Sequence, residues 1–114
     1  MISGAHMIIY SADPEADRAV FRDVLHFPAV DAGGGWLIFA LPPAELAVHP
    51  SSDNYKHEIY LMCDDVEAAV RTLQAHGIEC APVTDQRWGL LTHLSLPGVG
   101  RLGLYQPKHA LAPR

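Results

Sequence analysis

The chain has 114 residues, a length that fits one domain with a hydrophobic core of its own. Hydrophobic residues make up 49% of it and charged residues 18%, a globular composition that excludes a disordered protein. The formal net charge is −5 and there is no basic run, which excludes nucleic acid and anionic membrane surfaces as expected partners.

The sequence predicts a cytoplasmic protein without a membrane anchor. Its longest apolar stretch, residues 36–43, is too short to span a bilayer. Residues 1–15 lack the basic segment that precedes the apolar part of a signal peptide. Cys63 and Cys80 have neither the CxxC spacing of many metal sites nor that of a disulfide framework, which favours two reduced thiols.

The first half of the chain predicts a strand, a helix and three further strands. HMIIY (6–10) is long enough for a buried strand, and Asp13-Pro14 is a helix start signal followed by apolar residues at helical spacing. The triplet Gly33-Gly34-Gly35 predicts a hairpin connection, because no lysine or helix follows it to make a phosphate-binding loop. The three predicted strands are FPAV (27–30), GGGWLIFAL (33–41) and AELAVHP (44–50).

The second half predicts the same order of elements. KHEIYLMC (56–63) indicates a strand, and Asp64 with Glu67 indicates a capped helix start. Apolar residues at i, i+3, i+4 and i+7 give this helix one buried face, and His76-Gly77 ends it. Three more strands are predicted: IECAPV (78–83), RWGLLTHLSL (87–96) and GRLGLYQ (100–106).

The repetition predicts an α+β fold of two tandem βαβββ modules in a single domain, residues 1–114. Module one covers about residues 4–50 and module two about residues 56–108. The sequence contains no GxSxG, no Walker glycine loop and no HExxH, so it offers no established catalytic motif.

The motifs HMIIYSADPEADRAVFRDVLHF, EIYLMCDDVEAAVRTLQAHGI and RWGLLTHLSLPGVGRLGLYQP resemble the vicinal oxygen chelate superfamily. That group includes glyoxalase I, extradiol dioxygenases, fosfomycin-resistance enzymes and bleomycin-binding proteins. The resemblance implies half-barrel modules that pair around a cavity, with metal ligands projecting from the first and fourth strands of each module. Those positions are His6, Ala47, Glu58 and Gly103. Ala47 and Gly103 cannot ligate through side chains, and the family's metal enzymes almost always carry glutamate at the latter.

Strand alternation sorts the residues around these positions. If Glu58 faces the cavity, His57 points to the opposite face of the strand. The same alternation turns Arg101 and Gly103 inward. The small residues Ala47 and Gly103 would leave room in the cavity above them. The sequence does not decide which face of its strand His93 occupies. The predicted ligand-binding residues are His6, His49, Glu58, Tyr60, Trp88 and Tyr105. Of these, Trp88 is expected to form an aromatic wall on which the ligand stacks.

His6 and Glu58 admit two interpretations. They are candidate ligands of a divalent Fe, Mn, Ni or Zn ion, with His49 or Gln106 completing a displaced site. Alternatively, they form a hydrogen-bonded histidine–carboxylate pair in a polar pocket. Since two ligands do not make a usable site, no cofactor is firmly indicated.

The leading hypothesis is a small-molecule-binding protein of the glyoxalase/bleomycin-resistance type, with an enclosed polar and aromatic cavity for an organic molecule. One alternative is a divalent-metal-dependent lyase or dioxygenase acting on a substrate with vicinal oxygens. The other is a metal-free enzyme in which His6 and Glu58 act as a general base pair. Because each module leaves sheet edges to be paired or covered, and the family commonly dimerises, a homodimer is expected.

Overall fold

The computed structural model describes residues 6–52 and 57–113 and shows an α+β fold with a two-stranded and a four-stranded sheet. A short α-helix continues into a π-helix in the first half, and a longer α-helix packs on the larger sheet in the second. The elements are α1 (Pro14–Ala19), the π-helix (Val20–Val24), β1 (Ala29–Asp31), β2 (Leu37–Phe39), β3 (Tyr60–Met62), α2 (Val66–Ala75), β4 (Thr84–Gln86), β5 (Gly89–Leu96) and β6 (Gly100–Pro107).

The first helix begins where its sequence signals place it. Asp13 is the N-cap, and its side chain accepts a hydrogen bond from the backbone N–H of Ala16 at 3.3 Å. Pro14 occupies the first turn, where a missing N–H costs nothing. After α1 the helix widens to π geometry, with the N–H of Leu25 donating to the carbonyl of Val20.

Asp17 ties α1 to the turn between β5 and β6. Its side chain is only 5% exposed and accepts three hydrogen bonds: from the Ser11 hydroxyl (2.6 Å) and from the backbone N–H groups of Gly98 (2.9 Å) and Val99 (3.1 Å). Gly98 has no side chain, and one would collide with Ser11 and Asp17. The carboxylate therefore fixes the first half of the chain onto the second.

The triglycine segment makes the hairpin connection predicted from it. β1 and β2 pair antiparallel, and the N–H of Trp36 donates to the carbonyl of Gly33 at 3.1 Å. All three glycines have positive φ, which side-chain-bearing residues rarely adopt, and Asp31 accepts the N–H of Gly33 at 2.7 Å.

The second half forms a complete βαβββ unit with strand order β3-β6-β5-β4. β3 runs parallel to β6, and the other pairs are antiparallel. The N-cap of α2 is Asp65, which accepts the N–H of Ala68 at 3.1 Å; the predicted cap Asp64 was one residue too early. Gly77, with φ of +78°, ends the helix as predicted.

The core lies between α2, the π-helix and one face of the larger sheet. Val66 and Leu73 supply the buried face of α2, at 0% and 4% exposure, and Val20 of the π-helix extends the core. The sheet supplies the alternate residues of its two long strands, as a half-buried antiparallel sheet requires. The buried core residues of β5 and β6 are Leu94, Leu96, Leu102 and Leu104.

Three predicted strands are wrong in the described structure. Residues 6–10 and residues 44–50 have no regular structure, and no described segment pairs with them, so their backbone lacks the ladder that defines a strand. IECAPV is reduced to a single bridge between Cys80 and Leu94. Pro82 has no N–H to donate, and regular pairing resumes only at β4.

Candidate ligand-binding face

One face of the four-stranded sheet packs against α2, and no described helix covers the other, which we call the open face. Tyr60, Gly103 and His93 are direct neighbours across β3, β6 and β5, so they point the same way. Met62, Tyr105 and Leu91 form the next such row, and Arg101 with Ser95 forms the preceding one. Strand alternation thus predicted the shared orientation of Tyr60, Gly103 and Tyr105 correctly.

Three aromatic rings form a cluster on the open face. Tyr60, Trp88 and Tyr105 are each in edge-to-face contact with the other two, with centroid separations of 6.3 Å (Tyr60–Trp88), 6.0 Å (Tyr60–Tyr105) and 5.2 Å (Trp88–Tyr105). This is the geometry that aromatic quadrupoles favour. Tyr60 is still 38% exposed and Trp88 40% exposed, so the cluster presents aromatic surface to solvent.

Two glycines make room for these rings. A β-carbon at Gly103 would lie 2.6 Å from Cε1 of Tyr60, and one at Gly89 would lie 2.9 Å from Cδ2 of Tyr105. The room expected above Gly103 is therefore filled by the ring of Tyr60. The absence of a side chain at position 103 has a structural reason, which is to seat the aromatic cluster on the sheet.

Glu58 is positioned by the cluster. The hydroxyl of Tyr60 donates a hydrogen bond to Oε2 of Glu58 at 2.7 Å. This bond is the largest cause that raises the pKa of Tyr60, followed by desolvation and by the negative charge of Glu58. The tyrosine therefore stays protonated at neutral pH and holds the carboxylate on the open face.

Tyr105 is joined to the C-terminal segment. Nδ1 of His109 bonds the carbonyl of Ala110 at 2.9 Å, which requires a proton on Nδ1, so in the neutral ring Nε2 accepts from the Tyr105 hydroxyl at 3.0 Å. Desolvation and then the charge of Glu45 raise the pKa of Tyr105. Tyr105 is therefore a hydrogen-bond donor and a poor general base at neutral pH. His109 is exposed, and its ring packs on that of Tyr105 with a centroid separation of 5.9 Å.

His93 and Arg101 form a pair that the sequence did not reveal. Nη2 of Arg101 lies 3.0 Å from Nδ1 of His93, and because arginine can only donate, the imidazole nitrogen accepts. Desolvation first, and then the positive charge of Arg101, lower the pKa of His93, while the charge of Glu58 raises it. A neutral histidine beside a guanidinium thus stands in the same row as Gly103 and Tyr60.

The two histidines expected on the cavity wall lie outside regular strands. His6 and His49 are both exposed, and strand alternation gives no orientation for either segment. Glu45, from the same segment as His49, accepts the backbone N–H of Ala112 at 2.6 Å. The enclosing half of the predicted cavity is therefore not formed by the described residues, and enclosure stays a prediction.

The metal interpretation does not fit the donors present. Within residues 6–52 and 57–113 no group of three or more histidine, cysteine, aspartate or glutamate side chains is placed to hold an ion. Gln106, a suggested additional ligand, lies on the helix side of the sheet, where its Oε1 accepts the N–H of Val66 at 3.1 Å. Together with the ring of Tyr60 over Gly103, this donor set leaves no three-ligand site for a divalent ion.

A cleft of about 250 Å³ borders the open face where β3 and β6 end. It lies next to the C-terminal segment, whose Lys108 donates its N–H to the carbonyl of Trp88 at 2.8 Å and pairs with Asp85. The cleft is lined by Met62, Cys63, Asp64, Gln106, Pro107, His109 and Leu111.

Neither described α-helix has the length and hydrophobicity that a membrane span needs.

Known structures share this fold. TnmS3, an antibiotic-binding protein from Streptomyces sp. CB03234, matches with a TM-score of 0.68 and 23% identity over 94% of this chain and 98% of that one. A glyoxalase/bleomycin resistance protein from the same organism matches with a TM-score of 0.60 and 22% identity over 86% and 95% of the two chains. A glyoxalase/bleomycin resistance protein/dioxygenase from Nocardioides matches with a TM-score of 0.60 and 18% identity over 100% and 91%.

No protein-family model and no curated protein sequence matches the chain. The structural matches span nearly all of this chain, and they show that it has the fold of the glyoxalase/bleomycin resistance proteins. This confirms the vicinal oxygen chelate fold that the sequence motifs implied. At these identities the likeness establishes the fold, and function has to be argued from the site.

Proposed function

We propose that the protein is a small-molecule-binding protein whose ligand stacks on the aromatic cluster of the open face. The observation that carries the proposal is the set of three mutually packed rings, of which Tyr60 and Trp88 remain more than a third exposed. Preorganised aromatic surface beside a few fixed polar groups is the usual composition of an organic ligand site.

The polar groups around the cluster suit binding. Glu58 is held by Tyr60, and Tyr105 is held by His109, so neither has to be ordered when a ligand arrives. Two of the structures with this fold are described as an antibiotic-binding protein and a glyoxalase/bleomycin resistance protein, and the first description is consistent with a binding role. We extend that role to this chain as part of the proposal, with His6 and His49 as further candidates to contact the ligand.

A metal-dependent lyase or dioxygenase fits the site less well. Both chemistries need an ion with several protein ligands and open positions for substrate. Ala47 and Gly103 offer no donors at the positions where the family resemblance expects them, and Tyr60 covers Gly103. His6 with Glu58 remains the only ligand pair that the sequence suggests, and binding requires neither of them to hold an ion.

We propose that the protein acts as a homodimer in the cytoplasm. In the described structure β3 is an edge strand of its sheet, and large apolar side chains of the first module are exposed. A second copy of the chain would cover both, which is how proteins commonly manage sheet edges. The exposed residues include Ile8, Tyr10, Val30, Trp36, Leu46 and Val48. The free thiols of Cys63 and Cys80 suit a reducing compartment.

The two tryptophans provide a matched test. Trp88 is part of the cluster, whereas Trp36 lies on the β1–β2 hairpin beside Arg18 and is 68% exposed. A library of aromatic natural products should be screened by thermal shift against wild type, Trp88→Ala and Trp36→Ala. We expect hits on wild type that Trp36→Ala keeps and Trp88→Ala loses. Hits that depend on Trp36, or none that depends on Trp88, would refute the proposal.

A further inference from the structure

We infer that Arg101 and His93 form an anion-binding end of the open face, which selects aromatic ligands that carry a carboxylate. This inference rests on the proposed function, since it assigns the chemistry of a ligand stacked on the aromatic cluster. Arg101 and His93 donate and accept one hydrogen bond with each other, at 3.0 Å. The remaining N–H groups of the guanidinium are free to bind a carboxylate in the bidentate arrangement that arginine favours.

The pair stands at the edge of the aromatic cluster. His93 is the direct neighbour of Gly103, whose other neighbour is Tyr60. Arg101 precedes Gly103 by two residues on the same face of β6, which is about 7 Å along the strand. One aromatic molecule of ordinary size can therefore contact the rings of the cluster and reach the guanidinium at the same time.

The charge of Arg101 is available to a ligand. None of the ion pairs within the described ranges involves Arg101, and its side chain is exposed. Because Nδ1 of His93 is the acceptor, the neutral ring carries its proton on Nε2 and can donate from there. Arginine N–H groups and an imidazole N–H together make a site of donors, which matches an anionic acceptor.

Among the described residues, Glu58 is the carboxylate whose charge acts on His93, so it could oppose an anion here. Its Oε2 accepts the Tyr60 hydroxyl, and it precedes Tyr60 of β3 by two residues, as Arg101 precedes Gly103 on the parallel strand β6, so the carboxylate and the guanidinium lie at the same end of the open face. A ligand carboxylate would therefore meet the guanidinium from the side of His93, away from Glu58.

The test compares three probes of one shape: naphthoate (anionic), naphthamide (neutral) and naphthylmethylammonium (cationic). Dissociation constants come from NMR titration of wild type, Arg101→Gln, His93→Gln and the control Arg71→Gln. Arg71 is an exposed residue of α2, so this control removes the same charge from the opposite side of the sheet. We expect naphthoate to bind about tenfold more tightly than naphthamide, the worth of one charge-assisted hydrogen bond.

Arg101→Gln should abolish that preference and leave naphthamide binding unchanged, His93→Gln should reduce it, and Arg71→Gln should keep it. Equal binding of naphthoate and naphthamide by wild type, or tighter binding of the ammonium probe, overturns the inference while the aromatic site stands. A preference that persists in Arg101→Gln also overturns it. If no probe shifts the resonances of Trp88, the proposed function fails together with the inference.

Discussion

The ring of Tyr60 lies over the backbone of Gly103, in the space that a side chain at position 103 would occupy. The two residues are direct neighbours on the parallel strands β3 and β6, so this contact is fixed by the register of the sheet. From there Tyr60 contacts both other rings of the cluster and donates to Glu58. Gly103 thus provides the space in which Tyr60 joins the cluster.

Replacing Gly103 with alanine should displace the ring of Tyr60. Alanine in a strand is ordinarily more stable than glycine by about 0.5–1 kcal/mol. When Gly103→Ala is the only substitution, we expect this gain in stability to be cancelled, because the new methyl group meets the ring of Tyr60. In the Tyr60→Ala background the gain should reappear. Urea denaturation of the two single variants and the double variant gives the coupling free energy, and additive effects would contradict the contact.

The protein should bind divalent metal weakly. His6 and Glu58 are the suggested ligands, the residues at the two other expected positions have no donor atoms, and Gln106 is engaged by α2. We expect less than one equivalent of Fe, Mn, Ni or Zn in protein purified without added metal. Elemental analysis checks this. One tightly held ion per chain would contradict it and would favour the metal-dependent enzyme.

Replacing Asp17 with asparagine should destabilise the fold. The carboxylate accepts from the N–H groups of both Gly98 and Val99, and an amide presents an NH2 group to one of them. An unsatisfied buried donor costs about 1–3 kcal/mol, so the free energy of unfolding in urea should fall by that amount. Asp23→Asn is the control, since Asp23 forms an exposed pair with Arg22 and should matter little. Equal effects of the two variants would contradict the buried role of Asp17.

Most of the second half of the chain could be predicted from sequence because its signals are local, although the strand expected at residues 78–83 forms only one bridge. An acidic cap predicted within one residue of Asp65, a positive-φ glycine at position 77 and alternating residues in β5 each specify their own element. The strands predicted in the first half of the chain depended on pairing with other segments and not on local signals alone. Residues 6–10 and 44–50 have strand-like composition, but a strand exists only when another segment supplies its hydrogen bonds, and composition does not show whether one does.

The site was predictable in part for the same reason. Alternation gave the shared face of Tyr60 and Tyr105, but it could not give which residues are neighbours between strands. The contacts of His93 with Arg101 and of Tyr60 with Gly103 follow from register, which depends on the whole sheet. His109 was missed because no periodic signal relates a C-terminal segment to a strand residue.

The exposed apolar side chains of the first module should be covered in a homodimer. Leu46 is 91% exposed, and an aspartate there would place an unpaired carboxylate in the interface. Sedimentation velocity at micromolar concentration should show a dimer for wild type and dissociation for Leu46→Asp. Thr72→Asp on the exposed side of α2 adds the same charge and should remain dimeric. A monomeric wild type would remove the prediction.

Glu58 and His57 give the sharpest comparison, because they are adjacent and both exposed, yet only Glu58 is known to contact the cluster. Glu58→Gln keeps the volume and can still accept from Tyr60, but it removes the negative charge from the open face. We expect a ligand that places a hydrogen-bond donor or a positive charge against Glu58 to lose its stabilising effect, whereas an anionic ligand held at Arg101 should keep it. The melting temperature of the unliganded protein should change little. His57→Gln should be nearly silent, because the Tyr60 hydroxyl bonds to Glu58 and not to His57. The same screen on wild type and both variants decides the matter. Should His57→Gln abolish the ligand's effect while Glu58→Gln preserves it, the ligand would lie on the other face of this strand, and the open face would not be its site.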